Sequence, residues 1–244
     1  MGADGTPAIL YVPTLREEGT RFSLPADEAH YVSSVCRARA GEEVVATDGH
    51  GARATLQILR VGGDVVVERM VVTAEEQRRP AWMLCGAPEG ERGDWLVEKL
   101  AELGVTCFQP VDCARGSWRT GGARRQRWER LAVAALRQSR RSHRMSVEEP
   151  VPLEELLARL PPGGPRWLAE PGGDPPSGVP GMGGPAIGLV GPAGGLSEDE
   201  RAAAIASGFT PIRLSDGRLR TETAAMALAA SWSISAVPGA GSPA

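Results

Sequence analysis

Apolar residues in the first third of this chain fall mostly in short strand-like runs with one helical stretch, and beyond residue 80 strand-like runs alternate with helically spaced ones. Ile9-Leu10-Tyr11-Val12 and Arg21-Phe22-Ser23-Leu24 are strand candidates. Pro25 to Ala38 sets Ala29, Val32, Val35 and Cys36 on one face of a predicted helix, which Ala40-Gly41 ends. Glu43 to Thr47 and Ala54 to Ile58 flank the hairpin turn Asp48-Gly49-His50-Gly51, and Asp64 to Val72 is a further strand. Several short strands with one helix predict a small barrel over residues 1–73. The charged stretch Thr73 to Pro80 (TAEEQRRP) is the expected domain boundary.

From residue 80 to 238 strands and helices alternate, which predicts an α/β domain with a parallel sheet. Ala81 to Gly86 is a buried strand. Arg92 to Leu103 is an amphipathic helix with Trp95, Leu96, Lys99, Leu100 and Leu103 at three- and four-residue spacing, closed by Gly104. Val105 to Val111 is the next strand. Arg115 to Gly122 is a polar loop, and Arg124 to Arg141 a long helix with Trp128, Leu131, Ala132, Ala135 and Leu136 on its apolar face. Val151 to Leu160 is a short helix opened by Pro152. Arg166 to Glu170 is a strand, and Pro171 to Pro185 a Gly/Pro-rich loop.

The richest stretch is Ala186 to Trp232. A short apolar run ends in Gly191-Pro192-Ala193-Gly194-Gly195. Ser197 and Glu200 have the spacing of a capping box, and Gly208 is a suitable helix stop. Pro211 to Leu214 is a strand. Asp216-Gly217-Arg218-Leu219-Arg220 is an Arg-rich turn before an Ala-rich helix from Thr221. Two successive strand–loop–helix units make a ligand crevice at the carboxyl ends of strands. Several chemistries are excluded. No Gly-Lys-Ser/Thr follows the glycines, no G-x-G-x-x-G is present, and there is no G-x-S-x-G nucleophile motif. Backbone amides, one or two arginines and a carboxylate suit a polar, uncharged-to-cationic cofactor with an adenine. Two tight turns of an α/β sheet without a ligand remain the simpler reading.

Composition changes this picture little. The 244 residues carry a net charge of −3, and no apolar run approaches a membrane span. The charge is unevenly spread. Arg115 to Arg144 holds ten arginines and one acid, Glu129, whereas Ser146 to Glu200 holds nine acids and two arginines. Such asymmetry allows a phosphate-binding face on a chain of near-neutral balance. Cys36, Cys85, Cys107 and Cys113 form no C-x-x-C pair, so no metal site is expected. MGADGTPAIL has no basic region leading into an apolar core, and the expectation is a cytoplasmic protein with reduced thiols.

Gly191-Pro192-x-Gly194-Gly195-Leu196-Ser197-x-x-Glu200, Gly208-Phe209, and Leu214 followed by Leu219-Arg220-Thr221-Glu222-Thr223-Ala224 resemble the SPOUT-class (trefoil-knot) methyltransferases. Within that class they are most similar to the 16S rRNA uridine-N3 methyltransferase family. Glu98-Lys99-x-x-Glu102-Leu103-Gly104-Val105, Arg127-Trp128 and Gln138-Ser139-x-Arg141 extend the resemblance upstream. Arg21-Phe22, Glu28-Ala29-His30-Tyr31-Val32-x-x-Val35-x-Arg37 and Asp48-Gly49 resemble that family's PUA-like RNA-binding β-barrel.

The resemblance implies a SPOUT knotted domain binding S-adenosylmethionine, a homodimer through the knot region, and 16S rRNA of the small ribosomal subunit as partner. The cofactor walls it implies are the turn after Leu189 and Val190, with Gly191, Gly194 and Gly195, and the turn from Leu214 and Ser215 through Leu219 and Arg220 to Thr223 and Ala224. Arg21, Arg37, Arg39, Arg140 and Arg141 are the candidate RNA contacts. N3 of uridine is a poor nucleophile until it loses its proton, so the chemistry needs a base or an electrostatic environment that stabilises the anionic ring. Arg220 is a candidate to stabilise charge on a uracil carbonyl, and Glu222 to orient Arg220 or accept the proton. The chain departs from the family pattern at Ala193, where Glu is usual. Ser215 and Gly217 replace a glycine and an arginine, and Arg218 stands where isoleucine is usual. Two other functions stay open: binding RNA or cofactor without catalysis, and methylation of another RNA nucleotide.

Overall fold

The computed structural model describes residues 9–76, 79–118, 122–175 and 184–235. Parts of the expected linker (77–78), polar loop (119–121) and Gly/Pro-rich loop (176–183), and the end of the expected second domain, lie outside these residues. The chain divides into two units: Met1–Gln77 with Leu136–Arg144, and Arg78–Ala135 with Met145–Ala244.

The first unit is built on a five-stranded mixed sheet of β1 (Ile9–Tyr11), β2 (Arg21–Ser23), β3 (Glu43–Thr47), β4 (Ala52–Val61) and β5 (Val65–Ala74), in the order β1-β3-β4-β5-β2. β1 runs parallel to β3, and the other pairs are antiparallel. β4 alternates buried and half-buried residues from Ala52 to Ile58, so one face supplies Ala54, Leu56 and Ile58 to the core. This is a barrel-like mixed sheet. The expected helix over Pro25–Ala38 is shorter. α1 spans Ala26–His30 and passes into a single π turn, Tyr31–Val35, after which Arg37 takes a left-handed backbone (φ 51°). The π turn rotates the register, so Val32 is buried while Val35 is 63% exposed.

Leu136–Arg144 is integral to this unit. The Thr47 hydroxyl and the Gly51 N–H both donate to the Ser142 carbonyl (2.9 and 3.0 Å). The Arg144 N–H donates to Gly49 O, and its guanidinium stacks over Tyr11. Arg137 is ion-paired with Glu28, whose side chain is buried, and lies over the Tyr31 ring.

The second unit carries a parallel sheet of seven strands. They are β6 (Ala81–Cys85), β7 (Cys107–Asp112), β8 (Ser146–Val147), β9 (Val151–Pro152), β10 (Arg166–Asp174), β11 (Ala186–Val190) and β12 (Thr210–Ile212). The order is β12-β10-β11-β6-β7-β8, with β9 also on β7. β11 is buried along its whole length, as expected of a central parallel strand covered on both faces. α2 (Gly93–Glu102), the first part of α3 (Gly122–Ser139) and α6 (Thr221–Ser235) contribute to one core with Met83, Cys85 and Val190. α4 (Leu153–Leu157) and α5 (Glu198–Ala206) contribute to another with Leu84, Ile187 and Leu189. The unit is therefore three-layered, helices on both faces of the sheet.

Two expectations need correcting here. Val151–Pro152 pairs with β7 instead of opening a helix, because Pro152 has an extended backbone (ψ 136°) and the helix starts at Leu153. β10 continues through Pro171–Asp174, read from sequence as loop. Its glycines allow close approach to β12, since a Cβ at Gly173 would collide with the Pro211–Ile212 backbone.

Candidate functional site

Strand order reverses around β6 and β11. The chain leaves β6 for β7 on one side, whereas the segments following β11 lead to β12 on the other. A crevice is expected outside the carboxyl ends of the strands at such a point. A cavity of about 460 Å³ lies there, lined by residues of β10 (Leu168–Pro171), the end of β11 and its turn (Val190–Ala193, Gly195, Leu196), Glu89 of the loop after β6, and Arg218–Glu222 with Ala224.

Local rules explain its walls. Ser197 accepts the Glu200 N–H (3.1 Å) and Glu200 accepts the Ser197 N–H (2.8 Å), so the expected capping box starts α5. Glu200 also takes the Ala114 N–H at 2.7 Å. Gly208, after α5, has φ 87°, and Gly195, on the cavity wall, has φ 74°; both are backbone states that favour glycine. A Cβ on Gly86 would collide with the Pro192 backbone, so the end of β6 and the turn after β11 are pressed together. A Cβ on Gly188 would meet Leu228 and Trp232 at 2.5 and 2.8 Å, which lets α6 lie close to β11. At the start of α6, the Thr221 hydroxyl donates to Gly191 O at 3.0 Å and ties the two turns together.

The structure brings Val190, Gly191, Gly195, Leu219, Arg220, Glu222 and Ala224 to the cavity. Leu189 is buried in the core on the α4–α5 side, and Gly194 packs against the Arg115 backbone. Leu214 packs against the α2–α6 core, Ser215 caps the Asp216–Gly217 turn, and Thr223 is exposed; none of the three lines the cavity. Arg220 is exposed at the wall. Glu222 is buried and paired with Arg92, not with Arg220. Sequence reasoning missed Glu89, Glu170, Pro171 and Arg92, which come from loops or a strand end with no motif of their own. Glu170 is held by Arg201 through both oxygens (3.0 and 2.8 Å).

All five candidate RNA arginines fall in the first unit. Arg21 pairs with Glu68 (2.8 Å), while Arg37 and Arg39 are exposed beyond the π turn. Arg140 takes a left-handed backbone (φ 56°) at the end of α3, and the Arg141 N–H donates to Leu136 O. Along α3 itself the arginines are largely engaged. Arg125 pairs with Glu129 and Glu149, Arg127 with Asp94, and Arg124 lies over Trp128. Among the described residues no cluster of His, Cys, Asp or Glu could hold a metal ion, and no helix is long and apolar enough to cross a membrane.

The profile of the RNA methyltransferase domain family matches residues 75–233, more than half of the chain. The chain belongs to this family. The match includes every residue of the cavity. Ribosomal RNA small subunit methyltransferase E of Mycobacterium bovis is 28% identical over 234 residues, covering 89% of this chain and 87% of that protein. Its counterpart in Bacillus subtilis is 26% identical over 151 residues, and the match spans 59% of each chain. The crystal structure of ribosomal RNA small subunit methyltransferase E from Neisseria gonorrhoeae, bound to S-adenosyl methionine, has a TM-score of 0.82 and 25% identity, covering 93% of this chain and 96% of that one. The parallel-sheet unit is thus an RNA methyltransferase domain of SPOUT-like α/β architecture.

Proposed function

We propose that this protein transfers a methyl group from S-adenosylmethionine to N3 of a uridine in the 16S RNA of the small ribosomal subunit. The observation that carries the reading is the glycine-walled cavity at the strand ends of an RNA methyltransferase domain. The residues fit such a cofactor. About 460 Å³ is within the range that holds a nucleoside-sized ligand. Gly191 and Gly195 present bare backbone at the wall, and the exposed Glu89 carboxylate there suits a sulfonium cation.

The cofactor supplies an electrophilic methyl group. The chain must orient the uracil and take care of the N3 proton. Arg220, exposed at the wall, stabilises negative charge on a uracil carbonyl oxygen as N3 is deprotonated. Glu222 lies buried two residues further on and is the candidate proton acceptor. In this reading the turns after β11 and before α6 form the trefoil knot, the first unit is a PUA-like RNA-binding barrel, and its arginines Arg21, Arg37, Arg39, Arg140 and Arg141 contact RNA phosphates. The protein works in the cytoplasm as a homodimer through the knot region. Trp95 on α2 (46% exposed) and Ile234 on α6 (64% exposed) support that interface, since the two helices pack on each other and leave both side chains outward.

Titration calorimetry with S-adenosylmethionine tests the cofactor assignment. Saturable binding of one cofactor per chain is expected, and no binding heat at millimolar cofactor, together with no thermal stabilisation, overturns it.

A further inference from the structure

We propose that Arg92 is a positioning residue for methyl transfer, fixing the Glu222 carboxylate at the cavity wall. This rests on the methyltransferase reading above. The Glu222 side chain is 4% exposed, and a carboxylate so removed from water needs a compensating charge. The α6 N-terminus supplies part of it, and the Arg92 guanidinium, joined to Glu222 Oε1, supplies the rest. Arg92 lies 130 residues earlier and does not line the cavity, so it acts through Glu222.

The Arg92 side chain is itself 44% exposed, so burial does not hold it in place. Its backbone does. The next residue, Gly93, begins α2 with no room for a side chain: a Cβ there would lie 2.9 Å from the Trp118 ring and 3.3 Å from the Trp128 ring. Both rings are locked. Trp118 Nε1 donates to Cys85 O (2.9 Å) and Trp128 Nε1 to Asp94 Oδ1 (2.8 Å), and each meets Phe108 and the other edge to face. At the other end of the loop, Gly86 is pressed on Pro192 and the Ala193 N–H donates to Ala87 O at 3.1 Å. The loop from Gly86 to Arg92 is thus pinned at both ends, and it brings one guanidinium to one carboxylate. Without Arg92 the buried carboxylate loses the partner that fixes it and can turn toward Arg220, which takes the acceptor out of its place.

The test is steady-state methylation of small ribosomal subunits that lack the modification, with purified wild type, R92A, R92K, E222A and R92A/E222A. R92A is expected to lower kcat by about 10- to 100-fold, the usual scale for losing a partner that orients a site residue. KM for S-adenosylmethionine should change less than about threefold, since cofactor contacts are untouched. R92K should recover most of the rate, and the double variant should be no slower than E222A, because the two residues act as one unit. Wild-type kcat in R92A, losses that multiply in the double variant, or an effect confined to KM for S-adenosylmethionine each overturn the proposal while leaving the methyltransferase reading intact. An inactive wild type overturns that reading and this inference with it.

Discussion

Asp48 shows how much a single buried side chain organises. It sits in the hairpin turn, accepts the N–H groups of His50 (2.7 Å) and Ala52 (3.0 Å), and pairs with Arg16 (2.6 Å). Burial works to raise its pKa, but the Arg16 guanidinium and the two backbone N–H groups outweigh it and hold the carboxyl below the usual aspartate value. The folded state therefore gives up this proton more readily than the unfolded chain. The stability it contributes is present above the ordinary carboxylate range and is lost as pH falls through the folded value. D48N should cost about 1–3 kcal/mol at neutral pH and weaken the loss of stability in acid, as read by urea unfolding. An unchanged acid dependence would contradict this. Gly86 gives a second prediction. G86A forces a methyl group into the Pro192 backbone and should cost about 1–3 kcal/mol, with weaker S-adenosylmethionine binding in calorimetry because the turn after β11 must shift. G195A, with open space around the new methyl group but φ 74°, should cost only about 1 kcal/mol of strain. At this scale the sequence was legible where chemistry is local: Ser197 with Glu200, and Gly208, are read correctly from spacing alone. The Arg92–Glu222 pair was not, because no spacing rule links residues 130 positions apart.

At the scale of elements, the end of α3 is the informative case. Its continuous helical pattern gives no sign that its final turn groups with the first unit, since periodicity reports a face and not the neighbour that covers it. The structure shows the reason. Arg137 answers the buried Glu28, and each still has a side-chain atom without a hydrogen-bond partner, Arg137 Nε and Glu28 Oε2. Breaking this pair leaves a buried charge alone. R137A should therefore destabilise the protein by about 3–5 kcal/mol, and adding E28Q should recover part of it, as read by thermal or urea unfolding. Equal stability of R137A and wild type would show that the pair is dispensable. The other departures have equally physical causes. A π turn re-aims Val35, and Pro152 delays α4 by starting from an extended backbone. The glycines of β10 extend a strand into a segment whose composition reads as loop.

For the whole molecule, alternating β and α patterns were enough to read a parallel α/β sheet, but not its order, because strand adjacency depends on tertiary packing between distant segments. The order matters, since the reversal at β6 and β11 is what opens the cavity. Charge also reads differently in three dimensions. The run of arginines suggests a basic surface, yet along α3 Arg125 and Arg127 are paired with acids, so a count of arginines overstates the free charge on that helix. The proposed homodimer predicts that light scattering at micromolar concentration gives twice the 25.7 kDa chain mass, and a single-chain mass would contradict it. The central claim is tested most directly by incubating the protein with S-adenosylmethionine and small ribosomal subunits from a strain lacking its gene, then digesting the RNA and analysing the nucleosides by mass spectrometry. The account predicts new N3-methyluridine in the 16S RNA, and no transfer, or a methyl group on any other nucleoside, would contradict it.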